Sequence, residues 1–61
     1  MNDTKINTSV EDYKLAVEMA LFMKSVDDIS AANHMMLERG KITLEQFLAG
    51  ARIISQRFLE Q

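Results

Sequence analysis

The side chains best equipped for chemistry in this sequence are His34, its only histidine, and the adjacent pair Asp27-Asp28. One imidazole and two carboxylates are the donor types of a metal site or an acid–base pair. Their arrangement supports neither. The set falls short of the ligand count and spacing of a zinc site or a calcium loop. Asn33 and Met35, on either side of His34, offer it no acid–base partner. The chain has no cysteine, so thiolate metal sites and disulfides are both excluded. No glycine-rich phosphate loop and no Gly-x-Ser-x-Gly elbow occurs. His34 is expected to be a surface or half-buried packing residue, and Asp27-Asp28 to cap a helix. No catalytic residue, cofactor, metal ligand or small-molecule substrate is expected, and the sequence reads as non-enzymatic.

The elements that would position any site are helices. With no proline and two glycines in 61 residues, the chain offers few points at which a helix must stop. Hydrophobic residues make up 48% and charged residues 26%, the balance of a folded domain and not of a disordered tail. A chain this short hides only about 60% of the surface its unfolded form exposes, so its core is marginal. Association with itself or with a partner is the expected remedy. No apolar run approaches the ~20 residues of a membrane span, and the polar start MNDTKINTSV lacks the apolar centre of a signal peptide. A cytoplasmic protein is expected.

Residues 1–8 show no periodicity and are expected to form a flexible segment ahead of one helical domain over 9–61. Thr8-Ser9-Val10-Glu11 fits a capping box with Thr8 as cap, and Ser9 with Asp12 competes for the same role. The first helix is expected over about 10–25. At 100° per residue, Tyr13, Leu15, Ala16, Met19, Ala20, Phe22, Met23 and Val26 share a broad apolar face. Val10, Val17 and Leu21 form a second, narrower line, and a helix apolar on two sides needs two neighbours. Met19 and Met23 read as core fillers, while one of the adjacent Met35 and Met36 is expected to be exposed. Past Val26 the apolar stripe jumps by roughly 100°, so a second helix is expected over about 29–39, with Asp27 or Asp28 as cap. One long bent helix, giving a two-helix hairpin, is the alternative.

Gly40 stands where a helix C-cap wants a positive φ. Thr43-Leu44-Glu45-Gln46 is a capping box, and Ile42 and Phe47 hold the staple positions around it. A tight corner at Gly40 should therefore lead into a third helix over about 43–60. On it Leu44, Phe47, Leu48, Ala51, Ile54, Phe58 and Leu59 share one face. Ile53 falls among polar residues, and Gly50 invites close approach of another backbone, since mid-helix glycine costs roughly 1 kcal/mol against alanine. The fold class is thus all-α, a small three-helix bundle.

The run Leu37-Glu38-Arg39-Gly40-Lys41-Ile42-Thr43-Leu44-Glu45-Gln46-Phe47 resembles the pattern Leu-x-x-Gly-x-Ile-Thr-x-Glu-(Glu/Gln)-(Phe/Tyr) of short bacterial helical-hairpin modules, including the SHOCT family. Similar corners occur in small phage-encoded proteins. The resemblance implies an oligomerisation or interaction role and no chemistry. Such modules usually hang from the end of a larger protein, whereas most of this chain lies outside the matched run.

Two functions follow as expectations. The first is a small interaction or oligomerisation module, a phage or mobile-element regulator that binds a protein partner or a second copy. Its candidate surface is Val10, Val17, Leu21, Met35, Gly50 and Ile53. The second is a minimal DNA-binding helix-turn-helix with the third helix in the major groove. Charge argues against nucleic acid: residues 1–30 carry six acids and three lysines (−3), residues 31–61 three acids and four bases (+1), for a total of −2. Phosphate backbones want clustered Lys and Arg, and the start of the third helix carries Glu45.

Overall fold

The computed structural model describes residues 8–60 and folds them into α1 (Val10–Ala20), α2 (Val26–Glu38) and α3 (Leu44–Glu60), with no strand among them. The three-helix fold is the one expected. The single long bent helix is ruled out, because α1 stops at Ala20 and residues 21–25 separate it from α2. The expected flexible segment falls almost wholly on residues 1–7, outside the described residues. Thr8, at its end, is tied down: its carbonyl accepts from Gln46 Nε2 at 2.7 Å.

Serines cap the first two helices, and α1 begins at Val10 as expected while α2 begins early. At α1 the cap is Ser9, not Thr8, with Oγ accepting from the Asp12 amide at 3.0 Å. That leaves Thr8 outside the helix, where its carbonyl meets Gln46. At α2 the cap is Ser25, whose Oγ accepts from the Asp28 amide at 3.1 Å. Asp27 and Asp28 thus stand in the first turn, facing the positive end of the helix dipole, and do not cap it. Ser25 therefore starts α2 at Val26, earlier than expected, and ends the preceding helix early. The amides of Met23 and Lys24 close the end of α1 by bonding back to the Ala20 carbonyl.

The corner between α2 and α3 follows its local rules. Gly40 has φ +71°, the Gly40 amide donates to the Leu37 carbonyl at 3.1 Å and the Lys41 amide to the Met36 carbonyl at 2.8 Å. This is the paired closure of a Schellman motif. The capping box is reciprocal: Gln46 N–H donates to Thr43 Oγ1 at 3.1 Å, and the Thr43 amide donates to Gln46 Oε1 at 2.8 Å. Ile42 is buried, and Phe47 packs on the same core.

α3 is the hub, with α1 and α2 each packed on it and touching each other much less. Thr8 bonds Gln46 near the start of α3, and the Phe22 ring lies under Arg57 near its end, so α1 runs parallel to α3. Asn33 and His34 meet Phe47 while Val26 lies near Phe58, so α2 runs antiparallel to it. The core is Tyr13, Val17, Leu21, Ile29, Ile42, Ile53 and Ile54. Two helix faces are turned from their expected direction. On α1 the narrow line of Val17 and Leu21 points inward with Tyr13, and the broad apolar face points out. On α3 the buried face is centred on Gln46, Gly50 and Ile53–Ile54, and Leu44, Leu48, Phe58 and Leu59 are exposed. Having two flanking helices explains the second rotation. α1 and α2 need an approach on both sides of one α3 line, and the small Gly50 lets them come close along it.

Candidate functional site

Three polar side chains sit inside the molecule, and they bond to one another or to the backbone. The Tyr13 hydroxyl donates to Asn33 Oδ1. Asn33 Nδ2 donates onward to the Phe47 carbonyl at 3.2 Å. One network thus joins α1, α2 and α3 through two side chains. Asn33 is 3% exposed and Gln46 1%, so each needs such partners to offset lost hydration. Burial pushes the Tyr13 phenol above its usual pKa. The neutral, donating form is therefore the one the fold holds.

Gly50 sits beneath this network. A Cβ there would lie 3.0 Å from Asn33 Oδ1 and 3.0 Å from Tyr13 Cε2. Close approach at Gly50 was the sequence expectation, but side chains of the other two helices make it, not a backbone.

Of the expected surface, Val17, Leu21, Gly50 and Ile53 are buried, and Val10 is half-buried beside α3. Val17, Leu21 and Ile53 join the common core and Gly50 meets Tyr13 and Asn33, which removes all four from any outward face. Met35 alone of the six is exposed. Met19 and Met23, read as core fillers, also face outward.

The outward surface is instead the broad face of α1 and the turn after it. Phe22 is 79% exposed and Met23 83%, with Leu15 and Met19 more than half exposed. An apolar groove of about 340 Å³ lies between α1 and α2, which touch each other little. Ala16, Ala20, Ala32 and Met36 line it above the core residues Val17 and Ile29. Sequence periodicity found this face and assigned it to the interior. The missed signal is the Val26, Ile29, Asn33, Leu37 stripe of α2, which is continuous once α2 starts at Val26 and points Asn33 at the core.

His34 is exposed, as expected of a surface packing residue. Its Nδ1 lies 3.6 Å from Glu38 Oε2, one turn on, and its ring meets Phe47 edge-on at 6.0 Å. Among the described residues no three His, Cys, Asp or Glu side chains gather where they could hold a metal ion. No described helix is long and apolar enough to cross a membrane. Comparison with protein-family models, curated proteins and solved structures finds no match to the chain.

Proposed function

We propose that this chain is a non-enzymatic interaction module that works by burying the outward face of α1, and the groove behind it, against another protein surface. The observation that carries this reading is the set Leu15, Met19, Phe22 and Met23. These are large apolar side chains left exposed to water outside the core. Isolated exposed apolars are ordinary on protein surfaces, but a contiguous run beside an apolar groove is the usual mark of a docking site. Methionine suits such a surface because its flexible thioether adapts to the partner's shape. The resemblance of residues 37–47 to hairpin modules that mediate association points the same way, and a regulator acting by partner binding is the role it fits.

The DNA-reading alternative has less behind it. Glu45 occupies the first turn of α3, and Arg57 is occupied by the Phe22 ring and by Glu60. The other bases on or next to α3, Arg39, Lys41 and Arg52, are too few to make the clustered stripe that phosphates select.

The test is site-specific photo-crosslinking. A benzophenone amino acid in place of Met23 should yield protein adducts when cells producing the chain are irradiated. The same group in place of Arg52, which lines the groove between α1 and α3 with Lys14 and Glu18 and lies off the proposed face, should yield few. Equal labelling from both positions, or none from Met23, would overturn the reading.

A further inference from the structure

We infer that the occupant of this face is a second copy of the same chain, with α1 of one copy lying antiparallel across α1 of the other about a two-fold axis. The inference rests on the interaction reading above and names its partner.

The face is self-complementary in shape. An isologous interface must carry both projection and recess, because each patch meets itself. Here the recess is the groove lined by Ala16, Ala20 and Ala32, and the projections are Met19, Phe22 and Met23, exposed on α1 and the turn after it. Antiparallel crossing at Glu18, toward the end of α1, brings Ala16 opposite the partner's Ala20, with Glu18 itself turned to the side that faces α3. The larger side chains of each copy then fall toward the groove of the other.

The area suffices. Leu15, Met19, Phe22, Met23 and Met36 are between 36% and 83% exposed. At roughly 200 Å² for a large apolar side chain, their exposed parts come to on the order of 600 Å² per copy, the lower end of the range around the ~800 Å² per partner of a standard interface. That is a large fraction for so small a chain, whose isolated core is marginal.

Charge selects the direction. The start of α1 is acidic (Glu11 and Asp12), no basic residue lies in its last turn, and Lys24 follows one turn beyond. Parallel crossing would place acid on acid. The antiparallel arrangement places Asp12 opposite the partner's Lys24 twice, once at each end of the crossing, and opposes the two helix dipoles. Asp12 and Lys24 are both exposed and make no ion pair with another described residue.

Sedimentation equilibrium on the purified chain and three variants tests this, with circular dichroism confirming that each is helical. Asp12→Lys and Lys24→Asp should each weaken dimerisation by on the order of tenfold, since symmetry doubles every change. The double variant, which restores both pairs with their signs exchanged, should recover most of that loss. A wild-type chain that is monomeric throughout would overturn the inference, as would single variants without effect or a double variant weaker than either single. The interaction reading fails separately. A monomer whose Met23 crosslinks other proteins keeps that reading and loses this inference, whereas a monomer with no Met23 adduct loses both.

Discussion

Removing the Tyr13 hydroxyl would leave Asn33 Oδ1 buried without its donor. Tyr13→Phe should therefore cost about 1–3 kcal/mol, although it removes no apolar atom. In a domain of this size each kcal/mol moves the melting temperature by roughly 4–8 °C, so the loss is readily seen. The same residue sets an alkaline limit. Burial raises its folded pKa above the ordinary phenol value of about 10, so above that pH the folded state holds a phenolic proton that the unfolded state releases. The stability this contributes is complete below pH 10 and is lost as pH climbs from there through the folded pKa. Melting temperature against pH should fall across that window in the native chain, and the Tyr13 share of the fall should vanish in Tyr13→Phe. Tyr13 is the only tyrosine, so tyrosinate absorbance follows it alone. Gly50→Ala tests the neighbouring contact. Helix propensity favours alanine by about 1 kcal/mol. The added Cβ, however, meets an asparagine bonded at both ends and a tyrosine ring packed in the core. We expect a net loss of stability, and a gain would mean the network yields more easily than its bonding implies.

At the scale of elements, capping accounts for most of what is gained or lost. Ser25→Ala should cost about 1 kcal/mol by freeing the Asp28 amide, and Ser9→Ala a similar amount, while Thr8→Ala should cost little because its side chain caps nothing. Thermal melts of the three alanine variants check this order directly. Gly40→Ala, forced to a φ of +71°, should cost about 1–2 kcal/mol without any steric clash, since nothing lies within 4 Å of its Cβ position. The Gly40 corner was legible because glycine, threonine and glutamine act through local backbone geometry that a short window contains. The start of α2 was not, because Ser25 and the two aspartates are all good caps and only the chain's path chooses among them. The inner faces of α1 and α3 were hidden for a related reason. Periodicity identifies apolar stripes, but α1 has two, and only docking against α3 decides which one is dry.

For the molecule as a whole, the narrower apolar line made the core and left the broader one outside. Tyr13, Asn33 and Gln46 allow this. With three polar side chains satisfied internally, α3 can present Gln46 and Gly50 to both neighbours and leave its own leucines exposed. Tyr13 reads as core from its place on an apolar face, but Asn33 and Gln46 do not, because the Tyr13 hydroxyl and the Phe47 and Thr8 carbonyls that satisfy them come from other segments. What remains outside is an apolar surface of a size that water disfavours. Met19→Glu should leave the helical signal and the monomer's stability nearly unchanged, because the side chain is already 60% exposed. A variant that unfolded would mean Met19 belongs to the core.

The most direct measurement is the solution mass of the native chain by light scattering across a concentration series, with a thermal melt at each point. The mass should rise from one chain to two and the melting temperature should rise with concentration, since dimerisation stabilises only the folded form. Met19→Glu should hold the mass at one chain throughout. A native chain that stays monomeric with a concentration-independent melt would contradict self-association through α1.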